Sequence, residues 1–188
     1  MTTTIKRLTT MTEQFKPQPL PLKRHPDTDH SLTTGTRIAK KFQLHKWDYI
    51  IAGDGSATTW ELTTGFGSIL YSRESQSRRK FFGGFSCGTN NVAEIMAFLH
   101  PLLYLDATIS TKHRAPTVYV LSDSEYVVNA GNGKNERKSN KALWAAVDDI
   151  GKRFILLFRH SPRMILPANV YGDTAGNMVR ITMQGMPR

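Results

Sequence analysis

The sequence predicts an α/β domain built on a mixed five-stranded sheet, three antiparallel strands followed by parallel ones, with helices on both faces. Three strand-like segments follow one another between residues 47 and 86 with no helical pattern between them. Helical patterns then separate the remaining strand candidates, which favours parallel pairing through right-handed crossovers. Hydrophobic residues make up 39% of the 188 residues, which is enough for the core of one ordinary domain.

The first three strands are predicted as a meander over residues 47–52, 65–72 and 80–86, with a polar hairpin loop between the second and third. Ile, Tyr and Phe occur in these segments, as is typical of strands. Gly83 and Gly84 lie inside the third segment and indicate either a β-bulge or a close backbone approach.

A helix is predicted to begin at Thr89, Asn90 or Asn91, all plausible caps, and Pro101 is expected to kink or break it. The β-branched segment 117–121 predicts a buried strand, and a helix follows from Ser124. The remaining elements are an amphipathic helix over 140–151, a strand over 153–160 and a helix over 169–182.

The composition favours an anionic partner. The formal net charge is +10 and the pI is about 9.9, which indicates nucleic acid first and an acidic membrane surface second, although a generally basic protein fits too. Cys87 is the only cysteine, so neither an internal disulfide nor a Cys-rich zinc site is expected. The longest apolar run has five residues, 154–158, whereas a membrane-spanning helix needs about 20.

Residues 1–44 read as a basic, Pro- and Thr-rich flexible extension, and residues 45–188 as the folded domain. Four of the nine prolines and eight basic residues against three acidic ones lie in this extension, without a sustained apolar pattern. It is either a tether that neutralises phosphates or a solvated tail. We expect an intracellular, cytoplasmic protein; residues 1–12 carry Lys6 and Arg7 and no acid, so mitochondrial targeting stays an alternative.

Four carboxylates stand at the edges of predicted elements: Asp54, Glu94, Asp123 and Asp173. Asp54 leaves an apolar run in a Gly-Ser turn and Asp123 ends a strand, so both are expected at the carboxyl edge of the sheet, where helices bring the other two. Taken singly, each of these acids has another interpretation, as a residue of a turn, a helix cap or an acid in the first turn of a helix. Together they would repel one another unless divalent cations bind, and a pair of such ions supports phosphoryl chemistry.

Several ordered pieces of the chain resemble type 1 ribonuclease H, over roughly residues 47–182. Asp54 to Glu94, Glu94 to Asp123 and Asp123 to Asp173 are 40, 29 and 50 positions apart, which suits that family. The matching pieces are Asp54-Gly55-Ser56, Thr89-Asn90-Asn91-Val92-Ala93-Glu94, Ser122-Asp123-Ser124, Asn140-Lys141-Ala142-Leu143-Trp144, Arg159-His160-Ser161, and Asn169 before Asp173.

The resemblance implies a nuclease that hydrolyses the RNA strand of an RNA–DNA hybrid with two Mg²⁺ ions, for which Mn²⁺ substitutes. Asp54 would bridge the ions, Glu94 and Asp123 would complete one, and Asp173 would hold the ion that activates water. His160 would assist proton transfer or product departure. A monomer without membrane contact or disulfide-linked partner is expected. The substrate contacts that the family implies are Gly55, Ser56, Asn90, Asn91 and Asn169.

The chain also departs from the family pattern. His160 and Asn169 are nine positions apart, more than is usual, and Glu125 stands where a neutral polar residue is common. The long basic protrusion of some members is absent, and Arg137, Lys138, Lys141 and the basic N-terminal extension are the parts of the chain that would compensate. Two other functions stay open: another nuclease of the same fold, resolvase-like or retroelement-derived, and a non-catalytic nucleic-acid-binding module.

Overall fold

A computed structural model describes residues 34–58, 63–109 and 114–162, which form a five-stranded sheet with helices against both faces. The strand order is β3-β2-β1-β4-β5, and the predicted mixed sheet is confirmed. In chain order the described elements are α1 (Thr34–Lys41), β1 (Tyr49–Thr58), β2 (Thr63–Ser72), β3 (Arg78–Ser86), α2 (Asn90–Thr108), β4 (Thr117–Ser122), α3 (Glu125–Gly131), α4 (Lys141–Gly151) and β5 (Ile155–His160).

The pairing of β1 differs on its two sides. On one side β1 pairs antiparallel with β2 along its whole length, from Tyr49 to Thr58. On the other side its parallel pairing with β4 ends at Ala52, opposite Leu121. Residues 53–58 of β1 therefore extend beyond the pairing with β4. Side chains from other elements can lie beside this part of the strand.

Two hydrophobic clusters hold the helices on the sheet. Alternate residues of a strand point to opposite faces, so Ile51 and Ile50 belong to different clusters. The larger cluster joins the sheet to α2, α3 and α4, and includes the fully buried Phe98, Leu102 and Trp144. None of the helices in the described ranges is long and apolar enough to cross a membrane.

Helix α1 covers the opposite face and lies inside the segment predicted as an extension. Ala39 and Leu44 are buried in the second cluster together with Trp47, on the face that Ile69 and Tyr71 of β2 present. The folded part thus includes residues 34–44, earlier than the predicted boundary at residue 44. Its helix is only eight residues long and half polar, so no apolar period identified it. Residues 1–33 and the predicted helix 169–182 lie outside the described residues.

Of the kink or break expected at Pro101, the break was wrong, because α2 continues from Asn90 to Thr108 with this proline inside it. Proline in a helix interior removes one backbone hydrogen bond and costs about 3 kcal/mol. The helix buries Phe98, Leu99, Leu102 and Leu105 around the proline, each at most 1% exposed. Burial of one such side chain contributes about 1.5–3 kcal/mol, so packing outweighs the local cost.

Gly83 allows a close approach, and no bulge interrupts its strand. It faces Phe66 in an unbroken antiparallel register between β2 and β3. A Cβ atom at Gly83 would lie 2.6 Å from Cζ of the Phe66 ring, well inside van der Waals contact. Of the two alternatives raised by the sequence, the close approach is therefore the correct one.

Glycines on β1 allow α2 to pack directly against the strand backbone. A Cβ atom at Gly53 would lie 3.0 Å from the Ala97 Cβ atom. At Gly55 the approach is closer still: a Cβ atom would lie 2.5 Å from the Glu94 backbone nitrogen and would overlap the Ala93 carbonyl carbon. Only glycine fits at position 55 without moving the helix.

Asp48 joins the start of β1 to the start of β4. Its carboxylate accepts hydrogen bonds from Arg114 Nη1 and from the Thr117 backbone N–H, both at 2.8 Å. Burial raises the pKa of Asp48, but these hydrogen bonds and the charges of Arg114 and Arg73 outweigh it and hold the pKa below the ordinary value of 3.8. The ionised carboxylate is thus stabilised by folding.

We expect Gly55→Ala to lower the free energy of unfolding by about 1–3 kcal/mol, because the new methyl group must displace the first turns of α2. Thermal unfolding of the purified protein measures this. Gly151→Ala is the matched control, since the nearest atom to its new Cβ would be the flexible end of Leu156 at 3.3 Å. Equal loss of stability in both variants would contradict the packing argument.

We expect Asp48→Asn to destabilise the fold at neutral pH by about 1–3 kcal/mol, because a charge-assisted hydrogen-bond network is lost. The folded-state pKa is depressed, so the contribution is present above pH 3.8 and disappears as the pH falls through the lower folded-state value. Urea denaturation from pH 7 to pH 3 should show the difference between the two proteins shrinking in acid. Asp149→Asn, which breaks an exposed pair with Lys152, should change little at any pH.

Candidate metal centre

Three of the four predicted carboxylates are brought together by three different elements. Asp54 lies on β1 just beyond the end of its pairing with β4, and Asp123 directly follows β4. Glu94 lies near the beginning of α2. Asp173 lies outside the described residues, as does Asn169.

The local structure around Asp54 differs from the predicted Gly-Ser turn. β1 continues through Gly55 and Ser56 to Thr58, with Asp54 opposite Gly67 in the ladder with β2. The expectation of a turn was wrong because Gly55 serves a different purpose, the close approach of α2. The carboxylate is therefore held by a regular strand, which is more rigid than a turn.

The three carboxylates offer oxygen atoms that all lie within 4.8 Å of one another. Asp54 is the most enclosed of the three, and Glu94 and Asp123 are partly exposed. Three anionic groups at this separation repel one another, and a divalent cation between them removes the conflict. Oxygen-only ligands of this kind suit Mg²⁺ or Mn²⁺ better than soft metals.

The beginning of α2 is fixed in ways that determine where Glu94 lies. Thr89 caps the helix, and its hydroxyl accepts a hydrogen bond from the Val92 N–H at 3.3 Å. The Asn90 side-chain oxygen accepts a hydrogen bond from the Ala57 N–H of β1 at 2.6 Å. Together with the close contact at Gly55, these bonds tie the helix start to the strand that carries Asp54.

Ser122 connects two of the carboxylates and was not predicted as a site residue. Its hydroxyl donates to Glu94 Oε2 at 3.4 Å and accepts from the Ser124 N–H at 3.1 Å, directly after Asp123. The side chain is only 3% exposed, so the hydroxyl is held in place. A polar residue at the end of an otherwise apolar strand, next to a candidate ligand, was the available sequence signal.

His160 is the last residue of β5 and lies opposite Ser122 in the parallel register. The Ser161 N–H donates to the Ser122 carbonyl oxygen at 2.9 Å, which extends this connection by one residue. The imidazole is exposed, at the same edge of the sheet as Asp123. The predicted strand end is confirmed, while the loop after Pro162 lies outside the described residues and the role of His160 stays a prediction.

Four of the five predicted substrate contacts lie on the two elements that carry Asp54 and Glu94. Gly55 and Ser56 follow Asp54 on β1, and Asn90 and Asn91 begin α2. Asn91 is exposed, and Asn90 is exposed although its side-chain oxygen already accepts a hydrogen bond from β1. Ser56 is partly buried. The chain thus groups four of the five predicted contacts beside the carboxylates.

Comparison with known structures gives the same fold repeatedly. LC11-RNase H1, isolated from compost by a metagenomic approach and solved in complex with an RNA/DNA hybrid, is 25% identical with a TM-score of 0.61, and the match covers 69% of this chain and 97% of that one. An N-terminal RNase H domain from Mycobacterium tuberculosis, fused to maltose binding protein, is 21% identical with a TM-score of 0.58, covering 72% and 95%. RNase H1 from the halophilic archaeon Halobacterium salinarum is 17% identical with a TM-score of 0.54, covering 71% and 98%. The last two similarities show the fold alone.

No curated protein matches the chain significantly. A family model described as RNase H matches residues 46–157, more than half of the sequence, and this range contains the three clustered carboxylates. The resemblance expected from the sequence is thereby confirmed: the chain belongs to the RNase H family.

Proposed function

We propose that the protein is a metal-dependent endoribonuclease that hydrolyses the RNA strand of RNA–DNA hybrids. The observation that carries the proposal is the convergence of Asp54, Glu94 and Asp123 within 4.8 Å, on three elements of an RNase H domain. An RNase H1 of similar fold was solved with an RNA/DNA hybrid, which supports the choice of substrate. The net charge of +10 favours binding of a polyanion.

We propose two Mg²⁺ ions as the cofactors, with Mn²⁺ as a substitute, and the cluster of oxygen ligands supports the choice of a hard divalent cation. Asp54, Glu94 and Asp123 would hold the ions, with Asp173 as the fourth carboxylate of the proposed set. When bound, such ions activate a water molecule and stabilise the charge that develops on the leaving oxygen. The protein contributes a rigid arrangement of anions, because each described carboxylate is attached to a strand, a helix or a strand end.

The reaction that we propose breaks the bond between phosphorus and the 3′-oxygen of the RNA strand. Water adds to phosphorus, and the 3′-oxygen leaves with a proton, which gives 5′-phosphate and 3′-hydroxyl ends. His160 is exposed at the edge of the sheet next to Ser122, where an imidazole has access to a bound strand. We assign it assistance in proton transfer or product departure.

Recognition of the hybrid is assigned to the beginning of α2 and the end of β1. With its oxygen accepting from Ala57, Asn90 has its amide NH₂ group left to donate, and Asn91 is exposed beside it. Donors and acceptors at this place suit the minor groove, where the 2′-hydroxyl distinguishes RNA from DNA. Gly55, Ser56 and Asn169 complete the proposed contact surface.

We expect cleavage of the RNA strand only in RNA–DNA, when labelled RNA–DNA, RNA–RNA and DNA–DNA duplexes are compared with Mg²⁺ or Mn²⁺. Asp123→Asn should lower kcat by more than about a hundredfold. Loss of a residue that only hydrogen-bonds to a metal ligand already lowers metal affinity or activity about 10–100-fold, and Asp123 is itself a proposed ligand. Asp149→Asn, an exposed carboxylate on α4, should leave activity unchanged. Tight hybrid binding without cleavage would instead identify a non-catalytic module, and cleavage of DNA–DNA would identify another nuclease of this fold.

We expect Ser122→Ala to weaken Mn²⁺ binding about 10–100-fold, because Glu94 and the turn at Asp123 lose their shared hydroxyl. Isothermal titration calorimetry measures this without substrate. Ser122→Thr keeps the hydroxyl and should retain most of the affinity. Wild-type affinity in the alanine variant would show that the hydroxyl does not position these ligands.

A further inference from the structure

The hydroxyl of Ser161 is a buried polar group that the proposed mechanism does not use. Ser161 directly follows β5 and is 0% exposed, and its N–H donates to the Ser122 carbonyl oxygen at 2.9 Å. Within residues 34–58, 63–109 and 114–162, no atom forms a hydrogen bond with its Oγ atom. A buried hydroxyl without a partner keeps the full cost of its removal from water, so binding of a ligand that supplies a partner is favoured.

The register of the sheet places Ser161 level with Asp123. Ser122 pairs with His160 in the parallel ladder of β4 and β5, so the next residues along the two chains, Asp123 and Ser161, lie side by side. Neighbouring strands are about 4.8 Å apart. A hydroxyl and a carboxylate on residues this close are within reach of one hydrogen bond.

The alternation of side chains along β5 places Ser161 on the face of the sheet that also carries Asp54. Leu157 pairs with Tyr119, and both belong to the cluster that α1 covers. Ser161 comes four residues after Leu157 and therefore leaves the strand on the same face. Asp54 comes two residues after Ala52, which is buried in the same cluster. The Ser161 side chain thus lies on the Asp54 face, beside the carboxylate cluster.

Ser68 is a matched buried hydroxyl on the opposite face. It is also 0% exposed, and its Oγ atom likewise has no hydrogen-bond partner among the described residues. Ser68 pairs with Gly53, where a Cβ atom would lie 3.0 Å from the Ala97 Cβ atom of α2. Directly paired residues point to one face, so the Ser68 hydroxyl lies on the α2 face. The two serines share their burial and differ in whether they lie on the Asp54 face.

Hydrogen bonds from outer groups orient the carboxylates that bind a metal, and their loss lowers metal affinity or activity about 10–100-fold. Glu94 has such a donor on the α2 side, the Ser122 hydroxyl. On the Asp54 face, Ser161 is placed to act in the same way on Asp123. Asp123 is partly exposed, which leaves its carboxylate room to turn towards β5 as it takes up a cation.

We propose that the Ser161 hydroxyl donates a hydrogen bond to the Asp123 carboxylate when the divalent cation is bound, so that Ser161 is a positioning residue of the metal centre. The inference rests on the proposed function, because the hydrogen bond forms with the bound cation. Ser122 and Ser161 then hold two of the ligands from opposite faces of the sheet.

The proposal predicts different effects on stability and on metal binding. Ser161→Ala removes a hydroxyl that has no partner without the metal, so its Tm in EDTA should be no lower than that of the unsubstituted protein. Its affinity for Mn²⁺, measured by isothermal titration calorimetry, should fall about tenfold. Ser68→Ala, the matched control, should also keep its Tm and should leave Mn²⁺ affinity unchanged. A lower Tm for Ser161→Ala with unchanged Mn²⁺ affinity would show a role in folding alone and would overturn the proposal. An equal loss of affinity in the two variants would overturn it too.

Two further readouts identify the hydroxyl and its partner. Ser161→Thr keeps the hydroxyl and should retain most of the Mn²⁺ affinity that Ser161→Ala loses. The Mn²⁺ concentration for half-maximal cleavage of a labelled RNA–DNA hybrid should rise about tenfold in Ser161→Ala. In crystals soaked in Mn²⁺, the Ser161 Oγ atom should lie about 2.5–3.0 Å from an Asp123 carboxylate oxygen. A separation of more than about 3.5 Å from both oxygens would overturn the assignment of Asp123 as the partner.

The failure of this inference and the failure of the proposed function give different results. Wild-type Mn²⁺ affinity in Ser161→Ala would overturn the positioning role and leave the metal centre intact. Absence of Mn²⁺ binding by the unsubstituted protein would overturn both. Mn²⁺ binding that is weakened in Ser161→Ala but not in Ser68→Ala, without cleavage of the hybrid, would overturn the nuclease and support the positioning role.

Discussion

The close contact between α2 and β1 is the constraint on which the rest of the site depends. Because Gly55 has no side chain, the backbone around Ala93 and Glu94 lies directly against the strand that carries Asp54. The Asn90 hydrogen bond to the Ala57 N–H fixes the same contact from the helix side. A larger residue at position 55 would push α2 away from β1 and so move Glu94 away from Asp54.

Electrostatics divides the domain into two regions with different tasks. Asp54, Glu94 and Asp123 concentrate negative charge at the carboxyl edge of the central strands, an arrangement consistent with metal binding. Positive charge is spread over the surface of a chain with a net charge of +10. An acidic centre within a basic surface suits the binding of a polyanion whose reacting phosphate is met by metal ions.

The order of strands and helices was predictable because period-two and helical patterns are strong from Tyr49 to His160. Asp54, Glu94 and Asp123 could be predicted as a group because each matches a family motif and stands at the edge of a predicted element. The sequence could not show that β1 continues past Asp54, since a Gly-Ser pair indicates a turn unless a helix is known to pack on it. Helix α1 and the uninterrupted α2 depend on tertiary burial, which outweighs weak local patterns and the proline at position 101. Ser122 was not predicted because its role depends on a hydrogen bond to Glu94, which belongs to a distant segment of the sequence.

The most direct test of the central claim is the position of a bound ion. Crystals soaked in Mn²⁺ give an anomalous difference map that locates the metal independently of any assay. We expect a peak about 2.0–2.4 Å from carboxylate oxygens of Asp54, Glu94 and Asp123. A map without a peak among these three side chains at saturating Mn²⁺ would contradict the assignment of a metal centre to this domain.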